Sequence, residues 1–382
     1  MRKPVRSASG VVVAAAMSCG FRCPHGRCLY CPRFPGVPAS YTGFEPSSMR
    51  GAQNAFDPFL QVSERLDQLE KGGHPTNKVE LIIQGGTFPA LDRSYQEWFV
   101  KSCLDGVHGE ESEDLESCHL TAEGAKRRCV GLTVETRPDY CKEVDVDFML
   151  GLGVTRVEVG VQSPFDDVLL RVGRGHGVEE IVECFRIAKD SGLKVVAHVM
   201  PGLPGSSLER DVESFRLLFQ DERFKPDMLK IYPTLVLKST GLYDVWLRGD
   251  YVPLEPEEAA ALVAEAKRMA PPWIRLMRVQ RDIPSDLIIA GVRKSNLREL
   301  AWDVLKRSEG GKCRCIRCRE VGLKRGVPGP YEISLTCTKY AASLGEEVFL
   351  SFEDAKKDLL FAYLRLRFPS EKAHRREVSD GR

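Results

Sequence analysis

Cys23-Pro24-His25-Gly26-Arg27-Cys28-Leu29-Tyr30-Cys31 places three cysteines in nine residues, directly after an apolar run, and its reading decides the fold. Three thiolates are one fewer than a four-iron cubane takes when cysteine closes every iron, as in electron-transfer clusters. A three-cysteine set leaves one iron open, and an open coordination position is what a metal centre needs to bind a substrate. A zinc knuckle and a disulfide staple are the alternatives that the spacing leaves.

Outward from this run, Val/Ile/Leu-rich stretches alternate with helical patterns. Strands are predicted at residues 11–17, 79–84, 129–135, 154–161, 194–200 and 228–232. Amphipathic helices are predicted between them, at 53–71, 94–104, 179–191 and 208–219. Near-continuous apolar strands separated by helices indicate an α/β fold with a parallel sheet covered on both faces. Six such units are two short of a closed eightfold barrel, which predicts a partial, open (β/α)6 barrel with its active site at the C-terminal strand ends. The charged segment 109–128 reads as a solvent-facing helix or insertion. A boundary is expected near Gly310-Gly311. Beyond it come Cys313-Arg314-Cys315-Ile316-Arg317-Cys318, strand-like segments at 331–336 and 347–352, and alternating apolar and basic residues over 359–367.

Composition narrows the setting. The 382 residues are 43% hydrophobic and 29% charged, ordinary for a globular chain. Net charge is +1, so total charge does not announce a nucleic-acid partner, but its distribution does. Between Arg293 and Pro328 eleven Lys/Arg face four acidic residues, a surplus able to attract a phosphate backbone; a solvated charged face is the plainer reading. Thirteen cysteines, an odd number gathered into two clusters and scattered singles, fit metal ligation in a reducing cytoplasm better than a secreted disulfide framework. Cys103, Cys118, Cys129, Cys141 and Cys184 read as ordinary core or surface residues. Met1 to Arg6 followed by the apolar run and Cys19 has the look of a short secretory signal. The run is only seven residues and the cysteine cluster follows at once, so 11–17 is read as a buried strand. No stretch approaches the length of a membrane span.

Each strand end carries unusual chemistry. Gly85-Gly86-Thr87 follows the second strand, where missing side chains would let a ligand's amino group approach backbone carbonyls. Glu135-Thr136-Arg137-Pro138-Asp139 follows the third, setting a carboxylate and a guanidinium where ribose and carboxylate groups could be gripped. Gly160-Val161-Gln162-Ser163, with Arg174-Gly175-His176, follows the fourth. His198 to Gly205 closes the fifth, and Lys230-Ile231-Tyr232-Pro233 the sixth. A lone Gly-Gly pair is usually a turn; the series in order points to a ligand site.

These residues resemble the radical S-adenosylmethionine enzymes and, within them, the family of the Elongator catalytic subunit. The likeness also runs through Ser40-Tyr41-Thr42-Gly43-Phe44-Glu45-Pro46, Asp57-Pro58-Phe59, and Phe349-Leu350-Ser351-Phe352-Glu353-Asp354, and covers roughly residues 7 to 370. It implies a [4Fe-4S] cluster whose open iron takes S-adenosyl-L-methionine and, once reduced, releases a 5′-deoxyadenosyl radical, chemistry that belongs to the cofactor. It implies as activity the carboxymethylation of the wobble uridine of tRNA at carbon 5, from acetyl-CoA. Carried over by position, Cys23, Cys28 and Cys31 resemble the cluster ligands, and Lys78 a lysine that contacts acetyl-CoA. Gly85, Gly86, Thr87, Glu135, Arg137 and Gln162 match the region that holds S-adenosylmethionine. Lys230 and Tyr232, at the last strand end, are candidates for positioning substrate or relaying a proton. Cys313, Cys315 and Cys318 resemble a zinc-binding element, with Cys337 and His374 as candidate fourth ligands.

The implied organisation is a radical domain over 1–310, a cysteine-rich zinc linker over 311–328, and the N-terminal part of a GNAT-type acetyltransferase domain over 329–382. The family's phosphate-gripping loop, Gln/Arg-x-x-Gly-x-Gly/Ala at a helix start, does not occur after residue 320, so that last domain is expected to be incomplete. Cys31-Pro32-Arg33-Phe34-Pro35 also stands where the family more often has a glycine pair. The implied partners are the tRNA anticodon stem-loop, held by basic residues from Arg275 through Arg325, and other Elongator-type subunits or a second copy; no membrane is implied. The competing reading is an iron–sulfur tRNA-binding scaffold without turnover. A methylthiotransferase would need a second three-cysteine cluster in the barrel.

Overall fold

A computed structural model describes residues 7–324 and 326–380; Arg325 and the Met1 to Arg6 stretch fall outside the described residues. The strands are β1 (Val12–Met17), β2 (Lys78–Gln84), β3 (Arg128–Thr136), β4 (Arg156–Gln162), β5 (Lys194–Val199), β6 (Met228–Ile231), β7 (Val236–Leu237), β8 (Arg275–Leu276), β9 (Ile288–Ala290), β10 (Ser334–Ala342), β11 (Gly345–Asp354) and β12 (Leu359–Phe368). The seven-stranded sheet runs β1-β2-β3-β4-β5-β6-β8 with no pairing between its ends, so the expected open α/β barrel order is what the chain adopts. The two-residue β8, pairing parallel with β6, is the strand of this sheet that the sequence pattern missed, as it also missed β7 and β9, which pair with each other antiparallel.

The chain divides into two compact units. The first comprises residues 7–27, 31–158 and 282–284. In it β1, β2 and β3 pair in parallel, with Met17 opposite Gln84 and Ile83 opposite Val134. Parallel strands need crossover connections, and helices Pro58–Lys71 and Arg93–His108 lie along them. The helix predicted over 53–71 begins only at Pro58, and a separate helix that the pattern did not show, Pro46–Gln53, precedes it. Between them Ala55 and Phe56 turn left-handed, at φ 49° and 60°. Proline disfavours helix at the residue before it, and Asp57 instead caps the new helix by accepting from the Leu60 amide at 2.8 Å. Part of the polar segment 109–128 is the helix Leu115–Gly124.

The second unit comprises residues 28–30, 159–281 and 285–380. β5, β6 and β8 continue the parallel pairing, and β10, β11 and β12 form an antiparallel meander. Residues 331–333 of the first predicted C-terminal strand lie outside it; β10 starts at Ser334 and extends to Ala342. The β10–β11 turn uses Ser343 and Leu344, both with positive φ, the backbone of a hairpin whose twist matches its strands. Ser343 anchors that turn by donating its amide to Glu222 O at 2.6 Å and its hydroxyl to Phe224 O at 2.9 Å.

Six buried charges join the meander to the rest of this unit. Lys189 Nζ lies 3.2 Å from Asp227 and 3.1 Å from Glu347. Arg367 reaches Asp190 at 2.6 Å and Glu347 at 3.0 Å, and Arg365 pairs with Asp227. Three cations thus face three carboxylates, and further donors fill the remaining acceptors. The Val195 amide gives to Asp227 at 2.7 Å and the Ser370 amide to Asp190 at 3.1 Å. Removing one member leaves an uncompensated buried charge, which costs far more than the network itself contributes. Asp190→Ala should therefore lower unfolding stability by about 3–5 kcal/mol in urea titrations, and the pair Asp190→Leu with Arg367→Met should recover most of it. A loss below ~1 kcal/mol would show that the charges are not acting as a unit.

Candidate functional site

In the first unit the strand ends meet around Glu135. Tyr41 donates its hydroxyl to both carboxylate oxygens, at 2.6 and 2.7 Å. The amides of Gly85 and Gly86 each donate to Glu135 Oε2 at 3.2 Å. Both glycines have positive φ, 152° and 83°; a Cβ would lie 2.0 Å from Ser18 Oγ at Gly85 and 2.8 Å from the Ala39 carbonyl at Gly86. Only glycine fits here, because neighbouring chain comes this close. Glu135, expected as a ribose grip, thus has its acceptors engaged in holding the turn.

Arg137, 1% exposed, forms a two-point pair with Asp139, Nε to Oδ1 and Nη2 to Oδ2, both at 2.8 Å. Its Nη1 lies 2.6 Å from His25 Nδ1, and that nitrogen lies 3.0 Å from Cys23 Sγ. Asp139, Arg137, His25 and Cys23 therefore form one polar chain ending on a thiol. Buried Thr87 places Oγ1 3.8 Å from the same sulfur, and Ser40 Oγ is 3.8 Å from Cys31 Sγ. Lys78 is exposed at the start of β2. The strand's rise of roughly 3.3 Å per residue puts it about 20 Å from the Gly85 end. The structure thus brings Gly85, Gly86, Glu135 and Tyr41 together, links Arg137 to Cys23, and sets Lys78 apart.

In the second unit Cys28 is buried, and Arg174 spans its surroundings. Nη1 donates to Cys28 Sγ at 3.8 Å and Nη2 to the Gly160 carbonyl at 2.6 Å. Gln162, at the end of β4, holds φ 68°, a conformation that non-glycine residues seldom adopt. Its Oε1 is buried without a hydrogen-bond partner, an orphan of the kind that marks ligand sites. Lys230, buried, stands opposite His198 in the β5–β6 register. Tyr232 meets the His198 ring edge-on at 5.4 Å. The loop after β5 is held by Asp211, which accepts from the Gly202 amide at 2.6 Å and from Ser206 Oγ at 2.7 Å. Burial pushes the Asp211 carboxyl up to about 6 despite those donors.

Cys313, Cys315 and Cys318 place their sulfurs within 4.8 Å of one another. The other two thiols donate to Cys315 and hold it far below the usual thiol range, while Cys313 is pushed up. Neither Cys337 nor His374 joins this group among the described residues. Cys337 is exposed on β10. A further neighbour is Lys267, whose Nζ lies 3.6 Å from Cys318 Sγ and 3.9 Å from the centre of the Trp302 ring.

The basic stretch divides by burial. Lys306, Arg307, Lys312 and Arg314 are exposed. Arg319 is fully buried, donates to the Arg314 and Pro272 carbonyls at 2.7 Å each, and pairs with Glu353. It is a packing residue and leaves the set available to a phosphate backbone. His25, Tyr41, Ser40 and Asp139 escaped the residue-by-residue reading. Their motifs were visible, but their partners were not: Tyr41 lies 94 positions from Glu135, and His25 lies 112 from Arg137.

The chain is similar to several known proteins. Residues 17–218 match the family described as the Radical SAM superfamily, and 226–307 match the Radical_SAM C-terminal domain. The chain is 51% identical over 388 residues to a Methanocaldococcus infernus protein named tRNA uridine(34) acetyltransferase, spanning 99% of this chain and 72% of that one. It is 45% identical over 391 residues to human Elongator complex protein 3, spanning 99% and 71%. The solved structure of Methanocaldococcus infernus Elp3, lacking its residues 1–46, superposes with a TM-score of 0.86 at 47% identity, over 97% of this chain and 80% of that one.

The Asp211 carboxyl has a testable sign. Its folded pKa lies above the ordinary carboxyl value of about 4, so the folded state binds the proton more tightly. Stability from this group is full below about 4 and is lost as pH rises to about 6. The difference in melting temperature, Asp211→Asn minus wild type, should therefore grow between those pH values. A constant difference would contradict the assignment.

Proposed function

This chain belongs to the radical S-adenosylmethionine superfamily and, within it, to the family of tRNA uridine(34) acetyltransferases and Elongator complex protein 3, and from that premise we propose that it builds the 5-carboxymethyl group of tRNA uridine 34 from acetyl-CoA. The observation that carries the reading is the set Cys23, Cys28 and Cys31. None of the three is joined in a disulfide, and Thr87 Oγ1, Arg174 Nη1 and Ser40 Oγ lie 3.8 Å from the sulfurs of Cys23, Cys28 and Cys31 respectively. Such donors suit cluster sulfurs, whose potential they tune, so the residues fit a [4Fe-4S] group held by three cysteines. When bound, that group supplies the one-electron reduction that cleaves S-adenosylmethionine.

The protein's own part is positioning. Arg174 places its positive charge beside Cys28. Glu135 and Tyr41 fix the Gly85–Gly86 turn, and Gln162 directs an unpaired acceptor from β4 toward a cofactor group. Lys230 and Tyr232 orient the substrate or move a proton at the β6 end. Exposed Lys78 suits the phosphates of acetyl-CoA. Cys313, Cys315 and Cys318 form a thiolate set that fits zinc with one position open, and Lys267 offsets its negative charge. Among the described residues no helix is long and apolar enough to cross a membrane.

Two measurements test this. After anaerobic reconstitution with reductant and S-adenosylmethionine, 5′-deoxyadenosine should rise only with tRNA and acetyl-CoA together. Iron–sulfur absorption and bound tRNA without that product would replace the enzyme with a tRNA-binding scaffold. Replacing Lys306, Arg307, Lys312 and Arg314 by alanine should flatten the salt dependence of tRNA binding, by about 0.7–0.9 in log–log slope for each phosphate contact removed. An unchanged slope would move the tRNA off this surface.

A further inference from the structure

One cluster of ligand-type side chains lies apart from all of this chemistry. In the first unit, helix Arg93–His108 ends at Gly109, which adopts φ 91°. Asp105 and His108, three positions apart, share one face of its last turn. The chain then reverses into helix Leu115–Gly124, whose start is fixed by Asp114 accepting from the Ser117 amide at 2.8 Å. This reversal carries Cys118 back onto that face. A carboxylate oxygen of Asp105, a ring nitrogen of His108 and the sulfur of Cys118 all lie within 4.8 Å of one another.

His108 gives the cluster its direction. Both of its ring nitrogens are buried, and neither has a hydrogen-bond partner. A buried polar atom left unpaired costs about 1–3 kcal/mol, so an imidazole with two of them calls for a ligand. The neighbours narrow its type. Asp105 already accepts from Lys101 Nζ at 2.8 Å and from the Ser112 amide at 3.2 Å, and the Cys118 thiol lies 3.8 Å from the Lys101 carbonyl. Beside an ammonium, a hard ion drawn by carboxylate charge alone gains little. Calcium and magnesium, which take oxygen ligands throughout, do not suit a thiol and an imidazole. A borderline-soft ion bound through sulfur and nitrogen does. A Cys–His–Asp nucleophile is the other use of such a trio. Cys118 is wholly buried, which bars a substrate but not a single ion entering on the half-buried His108 side.

We propose that Asp105, His108 and Cys118 bind one zinc-class divalent cation, which pins helix Leu115–Gly124 to the end of helix Arg93–His108. Bonds of about 2.0–2.3 Å in tetrahedral geometry bring ligand atoms to about 3.5 Å apart, a separation that atoms already within 4.8 Å of one another reach by small side-chain shifts. The half-buried His108 side leaves the fourth position to water. Cys118 thus passes from the ordinary core cysteine of the sequence reading to a ligand.

The test is a Co(II) titration of the full-length, metal-stripped chain, with bound metal per chain measured after gel filtration. Wild type is compared with Cys118→Ser and His108→Ala, each checked for fold by circular dichroism. The Cys313 set remains intact in all three. Each variant should bind one equivalent fewer and lose the part of the cobalt–thiolate absorption due to Cys118, or to its geometry. Equal stoichiometry in folded variants overturns the proposal. Should the variants not fold, zinc-edge anomalous diffraction from zinc-soaked wild-type crystals decides the matter. A peak among Asp105, His108 and Cys118 supports the site; its absence, with a peak at the Cys313 set, overturns it.

Discussion

Parallel pairing is the constraint from which the other features follow. It sends the carboxyl ends of β1, β2 and β3 to one edge of the first unit, and each end stops with backbone groups that the sheet no longer satisfies. The first unit meets this need with one carboxylate. Glu135 takes the Gly85 and Gly86 amides and the Tyr41 hydroxyl together, tying the end of β3 to the turn after β2 and to the 40–45 loop. Without that acceptor two buried amides and a phenol would lose their partner at once, and the turn would have no reason to keep its positive-φ shape. Glycine at 85 and 86 follows from the same crowding. The motif therefore serves the rim before it serves any ligand.

The second unit solves a different problem, the attachment of an antiparallel meander to a parallel sheet. Apolar packing alone would let the meander slide, because one greasy face fits another in many registers. Lys189, Asp190, Asp227, Glu347, Arg365 and Arg367 fit in only one. Buried ion networks add little net stability, yet a misplaced one is costly, so specificity is the gain to expect here. Arg319 extends the same device to the Cys313–Cys318 turn by linking it to Glu353 on β11, while Arg275 holds Glu320 through two bonds at 2.6 and 3.0 Å.

Much of this was legible in the sequence, and the rest was hidden for identifiable reasons. The six long strands lie within two residues of where apolar runs put them, because a strand buried on both faces advertises itself in every residue. β8 has two residues and carries no period. The helix break at Asn54–Asp57 could have been read from Asp57-Pro58, a cap followed by a helix-starting proline, but the amphipathic pattern runs through it. Charge was the weakest guide. Arg319 looks the same in a sequence as Arg314, and only packing shows that one is sealed inside and the other reaches water. Candidate residues that lie within a motif could be singled out, whereas their partners, set by contacts many tens of positions away, could not.

Cysteine count by itself says equally little, and the surroundings of each sulfur separate the thirteen. Burial and the neighbouring Cys129 and Asp57 push the Cys103 thiol well up, and burial takes Cys129 to about 11 and Cys118 to about 12; such thiols stay protonated until a metal displaces the proton. Cys28 and Cys318 instead lie beside cations, Arg174 at 3.8 Å and Lys267 at 3.6 Å. A guanidinium or an ammonium held against a sulfur there balances the negative charge that a metal-bound thiolate set carries. Both cations are themselves committed. Arg174 is fixed by the Gly160 carbonyl, and Lys267 by the face of Trp302, so neither can swing away to solvent. The spacing of the two cysteine clusters says that they could hold metal. The cation packed against each is the feature of the surroundings that suits a set of thiolate ligands.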